Sequence, residues 1–254
     1  MKFSVFSKSV VGYKNIIKNK SSQDYLKFDY VDDGLICAVA DGHSGDFFTY
    51  SHLGSKFACE VAIETLKKYE GEDIGKIKTL LDNKILQREI CNRWRILVEQ
   101  DIQNRLPRAF RYNYFIYGTT LLVVMITKNY IIYLKLGDGD IIIKQDNEFK
   151  KVLPSYNKNI VDCLAEDKAY DKIIYKAGIN EMNINSIIIY SDGFENSFVS
   201  YKSMLKNIDN TLIKYNKNIF SKMKLEKKYD KELSDLSKSG SLDDISIVFV
   251  NALL

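Results

Sequence analysis

Proline is nearly missing from this chain, with 2 in 254 residues, and no stretch rich in Gly, Ser or Pro interrupts it. Linkers between domains are built from those residues. The sequence therefore predicts one domain over 1–254, long enough to bury a full core. No apolar run reaches the ~18 residues that a membrane span requires, and Met1 to Val11 lacks the apolar centre of a signal peptide. A soluble, cytoplasmic protein with no membrane partner is expected. The four cysteines, at 37, 59, 91 and 163, have no paired spacing, which excludes a CxxC zinc site and leaves reduced core residues as their role. His43 and His52 lie nine apart, which is not the spacing of a zinc pair on one helix face. Neither charge sign dominates: 37 basic residues stand against 33 acidic ones for a net +4, too little and too evenly spread for nucleic acid. Of two local basic runs, Lys14 to Lys20 and Lys222 to Lys228, the second reads as a solvated helix face.

What the chain does have is four short acidic stretches at the ends of apolar, β-branched runs. Ile36 to Ala40 leads into Asp41-Gly42-His43, Ile131 to Leu136 into Gly137-Asp138-Gly139-Asp140, and Ile187 to Tyr190 into Ser191-Asp192-Gly193. In the fourth, Asp243-Asp244 precedes the run Ile245 to Val250. Any one alone is accounted for by a turn, since Gly supplies positive φ and Asp an Asx-type hydrogen bond. Four, each tied to a strand end, point to carboxylates converging at one edge of a sheet. Carboxylates so gathered resist ionisation unless positive charge lies between them. Hard divalent cations with oxygen ligands, Mg²⁺ or Mn²⁺, supply that charge.

Hydrophobic spacing predicts strands at 2–6, 26–30 and 34–40, the last two joined by a hairpin at Asp32-Asp33-Gly34. Helices are predicted over 46–69 and 74–104, with Pro107 marking the end of the second. Strands at 113–127, 130–137 and 140–145 read as a meander with tight turns at Lys128-Asn129 and Gly137-Asp138-Gly139. A loop at 147–171, strands at 172–176 and 185–191, helices at 200–216 and 219–238 and a closing strand at 245–250 complete the order. Strands in runs, rather than alternating with helices, favour an α+β fold with antiparallel sheets.

The motifs together resemble the protein phosphatase 2C family of metal-dependent Ser/Thr phosphatases. Gln23-Asp24, Asp41-Gly42-His43, Gly118-Thr119-Thr120, Gly137-Asp138, Ser191-Asp192-Gly193 and Asp243-Asp244-Ile245-Ser246 occur in the family's order across nearly the whole chain. The Gln-Asp pair is similar to that of a compact bacterial branch. The resemblance implies a four-layer α-β-β-α sandwich of two antiparallel sheets flanked by helix pairs. It implies that Asp41 bridges two Mg²⁺ or Mn²⁺ ions, that the Gly42 carbonyl helps hold one, and that Asp192 and Asp243 ligate the other. Asp24 would act directly or through a water, Asp138 would join Asp192 at a third, weaker ion, and His43 would be the general acid. The substrate implied is a phosphorylated protein made by a Ser/Thr kinase, hydrolysed by a monomer.

The chain departs from the family at three places. Asn19 occupies the position of a phosphate-binding Arg, which leaves Lys14, Lys18 or Lys20 to supply that charge without a guanidinium fork. Gln23 replaces a carboxylate. Gly139-Asp140 replaces Ser-Arg, and Asp140 is read as a turn residue. Asp243 is favoured over Asp244 as the metal-binding member of its pair. The first two departures motivate a competing reading, a catalytically inactive relative that serves as a binding or regulatory module. A third reading is a metal-dependent hydrolase of another phosphoester.

Overall fold

Among the described residues ten strands pair into two antiparallel five-stranded sheets, and helices cover the outer face of each. The computed structural model describes residues 2–105, 113–155, 161–180 and 184–253. In chain order the elements are β1 (Lys2–Val10), α1 (Tyr13–Ile17), β2 (Tyr25–Val31), β3 (Gly34–Ala40), α2 (Ser51–Lys67), α3 (Ile74–Asp82) and α4 (Ile85–Arg105). A 3₁₀ turn (Tyr114–Tyr117) precedes β4 (Leu121–Thr127), β5 (Tyr130–Leu136), β6 (Asp140–Gln145) and β7 (Glu148–Lys151). Then follow α5 (Ala169–Lys172), β8 (Ile174–Ile179), β9 (Ile184–Tyr190), α6 (Asp192–Asn196), α7 (Tyr201–Lys217), α8 (Ile219–Ser239) and β10 (Ile245–Leu253). One sheet has the order β1-β10-β9-β6-β7 and the other β2-β3-β4-β5-β8, so the first and last strands of the chain pair with each other.

Side-chain alternation explains the layers. Along β3, Leu35, Cys37 and Val39 face the second sheet, where they meet Ile189, Val248 and Val250. The intervening Ile36, Ala38 and Ala40 face α2 and α4. A strand buried on both faces reads as a continuous apolar run, as β3 does. On the other outer face, Ile188, Ile247 and Phe249 pack under Met204, Ile208 and Leu212 of α7 and Tyr229 and Leu233 of α8. The expected α-β-β-α order is present. All four cysteines are buried and unpaired.

Several local expectations are corrected. The helix expected over 74–104 is two, because Lys84 adopts φ 57° after Asn83 caps α3 by donating from Nδ2 to the Thr79 carbonyl. The break re-aims the chain so that Leu81 and Leu86 are both buried in the same core. The helix expected over 46–69 is α2, which begins at Ser51 rather than 46. Residues 114–117 are a 3₁₀ turn rather than strand. The expected loop at 147–171 starts as strand β7, because Asp146 and Asn147, at φ 50° and 62°, form a tight turn whose twist suits a hairpin. The turn at 137–139 is no hairpin. β5 lies in one sheet and β6 in the other, so this segment crosses between sheets. Gly137, at φ 95° and against Thr120, is the residue type such a crossing needs. Pro107 lies outside the described residues.

Candidate active site

Antiparallel register puts the acidic stretches on one rim of the sandwich. Tyr25 at the start of β2 pairs with Ala40 at the end of β3, and Leu121 with Leu136. In the other sheet Tyr190, at the end of β9, pairs with both Asp140 and Ile247. Asp24, Asp41, Asp138, Asp192 and Asp243 therefore all lie where strands begin or end on that rim. Asp41 is anchored through its backbone: its N–H donates to Thr120 Oγ1 at 3.0 Å, and its carbonyl accepts from the Thr120 N–H and Thr119 Oγ1 at 2.9 Å each. Gly42 donates its N–H to the Gln23 carbonyl, and a Cβ there would come within 2.5 Å of that same oxygen. Only glycine allows this approach.

The carboxylates crowd one another. Burial first, then the charges of Asp24, Asp192 and Asp243, push the Asp41 carboxyl well above its ordinary range. Burial also raises Asp192, with the charge of Asp243 adding to it and Asp41 and Lys14 opposing. Burial and the neighbouring Asp244 raise Asp24 to about 8. Its Oδ2 accepts from Ser191 Oγ at 2.7 Å, while Oδ1 is buried without a partner. Burial and Asp192 raise Asp138 to about 6, with Lys135 opposing.

Asp243 and Asp244 are neighbours with different surroundings. Asp244 is 2% exposed, and its two oxygens accept from the Gly12 and Gln23 N–H groups at 2.6 Å and from Asn15 Nδ2 at 3.0 Å. It clamps the segment 12–23 to the start of β10. Asp243 Oδ1 accepts from the Asp244 N–H at 2.9 Å, and Oδ2 pairs with Lys14 Nζ at 2.6 Å in a partly exposed position. Lys14 thus reaches the acid rim. Lys18 is exposed, and Lys20 forms an exposed pair with Asp46 at 2.9 Å, beside a groove of 330 Å³ that Gln23, Phe48 and His52 also line. The Gln23 side chain donates from Nε2 to Ser51 Oγ at 3.0 Å. His43 lies edge-on to Phe48 with ring centroids 5.1 Å apart. Burial lowers its pKa, and Glu166 opposes that shift.

Reading Asp140 as a turn residue is corrected. It is 2% exposed and joins two lysines: Oδ1 to the fully buried Lys135 at 2.5 Å, Oδ2 to Lys151 at 2.5 Å. Of this ionic hub, Asp140 and Lys151 line a 460 Å³ pocket together with Asp138, Asp192 and Glu195. Lysine at 135 within an otherwise apolar strand was the available signal, since a buried amine requires a nearby acid.

Among the described residues no set of three His, Cys, Asp or Glu side chains already stands at metal-ligand spacing. The donors nevertheless fit hard divalent cations in kind: all are oxygens, Asp41 is pushed up by burial and by the charges of its acidic neighbours, and Asp24 Oδ1 is buried and unpartnered.

A family model described as protein phosphatase 2C matches residues 11–234. Among solved structures, serine/threonine phosphatase Stp1 from Staphylococcus aureus superposes with a TM-score of 0.69 at 12% identity, covering 100% of this chain and 96% of that one. PppA from Pseudomonas aeruginosa gives 0.65 at 15% identity, covering 100% and 99%. The catalytic domain of PstP, solved in complex with two manganese ions, gives 0.63 at 15% identity, covering 98% and 97%. No curated protein matches the sequence. The sandwich, the acid rim and a family match over most of the chain lead to one conclusion: this chain belongs to the protein phosphatase 2C family.

Proposed function

We propose that this protein hydrolyses phosphoserine and phosphothreonine in proteins, with Mg²⁺ or Mn²⁺ held at the acid rim. The observation that carries the reading is the crowding of the buried Asp41 by Asp24, Asp192 and Asp243, whose charges push its carboxyl well above the ordinary range and mark a site short of positive charge. In this reading Asp41 would serve both ions, the Gly42 carbonyl would help hold one, Asp192 and Asp243 would hold the other, Asp24 would act directly or through a water, and Asp138 with Asp192 would hold a third, weaker ion. Such ions supply neutralisation of phosphoryl oxygens and a lowered pKa for the attacking water.

The chain's own groups do the rest. Both oxygens of Asp244 are tied to the 12–23 segment, whereas Oδ2 of Asp243 is held only by the partly exposed Lys14, so Asp243 is the preferred ligand of the pair. Lys14, now on Asp243, is within reach of a phosphoryl oxygen bound at the rim and is the preferred phosphate contact; Lys18 and Lys20 are weaker candidates. His43 would donate a proton to the departing Ser or Thr oxygen. The substrate is taken to be the product of a Ser/Thr kinase, and the enzyme a cytoplasmic monomer of one catalytic domain.

The test is hydrolysis of p-nitrophenyl phosphate and a phosphothreonine peptide, with Mn²⁺ and with chelator. Manganese-dependent release that is lost in Asp192→Ala is the expected result. Bound manganese without turnover would transfer the chain to the inactive binding-module reading, and turnover of a nucleotide diester alone would make it a different phosphoesterase. His43→Ala should slow the peptide about 10²–10⁴-fold but p-nitrophenyl phosphate much less, because nitrophenolate leaves without a proton. Equal losses would remove His43 from the acid role.

A further inference from the structure

The hairpin of α7 and α8 carries an apolar tip that the fold does not use. Asn218 alone separates the two helices, and its side chain caps α8 by accepting from the Ser221 N–H at 2.8 Å. The sharp reversal leaves Ile219 62% and Phe220 80% exposed. Ile213 and Met223, five residues to either side of Asn218, are also exposed. The inward faces of the same helices are supplied by Met204, Ile208, Leu212, Leu225, Tyr229 and Leu233, so packing does not require the outer set. Large apolar side chains grouped in water mark a contact surface.

Charge is concentrated at the same place. Residues 214–228 hold six lysines and one glutamate, which is five positive charges against +4 for the whole chain. The remaining chain is therefore close to neutral. Lys214, Lys217, Lys224, Lys227 and Lys228 are exposed, while Lys222 lies over the Tyr215 ring at 4.5 Å. The far end of α8 meets the acid rim, where Ser237 Oγ donates to the Asp243 carbonyl at 2.8 Å. At ~1.5 Å per helical residue the tip stands roughly 30 Å from that rim.

We propose that the α7–α8 tip docks on an anionic membrane surface, with Ile219 and Phe220 entering the headgroup layer and the surrounding lysines pairing with lipid phosphates. A turn of two helices is convex, and apolar residues at its apex with lysines behind them match the depth profile of a lipid interface. A second copy of the chain would set lysine against lysine. Among the described residues no helix is long and apolar enough to cross a membrane. The acid rim then points away from the bilayer. This departs from the absence of a membrane partner read from the sequence, where the exposure of 213, 219, 220 and 223 is not visible.

The full chain is sedimented with vesicles of phosphatidylcholine alone or with roughly 30 mol % phosphatidylglycerol, at about 0.1 M and about 0.5 M salt. Binding at least about tenfold stronger to the anionic vesicles, falling at the higher salt, is expected. The pair Ile219→Ser with Phe220→Ser, and separately the pair Lys224→Glu with Lys228→Glu, should each cut that binding about fivefold or more while melting temperature is unchanged. Equal binding to both vesicle types, or undiminished binding by both variant pairs, overturns the proposal. So does the absence of vesicle binding, whether or not the tip then supports Phe220-dependent self-association or retention on polyglutamate.

Discussion

The interior between the two sheets and the rim where their strands end are built on opposite terms. Between the sheets, Leu35, Val39, Leu122, Ile189 and Val248 are nearly or wholly removed from water, and the surrounding backbone is paired strand to strand. Burial there stabilises by about 25 cal/mol per Å² of apolar surface. On the rim, Asp24, Asp41 and Asp192 are held close together against their own repulsion, and Asp24 Oδ1 has no partner. The interior stabilises the fold, and the rim spends part of that stability to hold carboxylates together. Asp140 lies between these cases: it is as buried as the core but paired on both oxygens.

That intermediate residue gives the largest expected effect. Asp140→Ala leaves the buried Lys135 short of its acid and should destabilise the protein by about 3–5 kcal/mol, measured by urea unfolding. Pairing it with Lys135→Met should recover part of the loss. A neutral single variant would mean that the hub is as dispensable as a surface pair. Next comes Asp41→Asn, expected to lower manganese-dependent turnover by about 10²–10³-fold and at the same time raise the melting temperature of the chelated protein. A fall in that melting temperature would erase the distinction between stabilising interior and destabilising rim. The smallest effect is in pH. Asp24 titrates near 8 in the metal-free fold and at about 3.9 in an unfolded chain. The native state then keeps a proton that the unfolded state releases, so stability of the chelated protein should fall as pH rises from about 4 to about 8 and level off on either side. Water entering the rim relaxes much of the shift, which leaves an effect on the order of 2 kcal/mol. Saturating Mn²⁺ should flatten the slope; a chelated protein that gains stability over that window would contradict the assignment.

Local patterns carried far in this chain. The Asp32-Asp33-Gly34 hairpin, the doubly buried β3, the order of sheets and helices and the rim placement of Asp41, Asp138, Asp192 and Asp243 follow from alternation and from acids at strand ends. The Gly137-Asp138-Gly139 segment shows where such patterns fail. A glycine-flanked aspartate has the same local chemistry in a hairpin and in a crossing between sheets, and only the partners of β5 and β6 distinguish the two. The same ambiguity hid Asp140, whose lysine partners lie five residues before it and eleven after it on separate strands. Lys14 was legible as a cation near the first acids but not as the partner of Asp243, 229 residues away.

The sequence by itself determined the doubly buried β3, the order of strands and helices and which residue types stand at the strand ends, because those follow from hydrophobic period and turn chemistry within a few residues. Tertiary structure alone decided which acids repel one another, that Asp244 clamps the 12–23 segment while Asp243 pairs with Lys14, and that an apolar helix tip faces water. Each of these depends on distances between residues far apart in the chain, and distance is set by how the sheets stack rather than by any local preference.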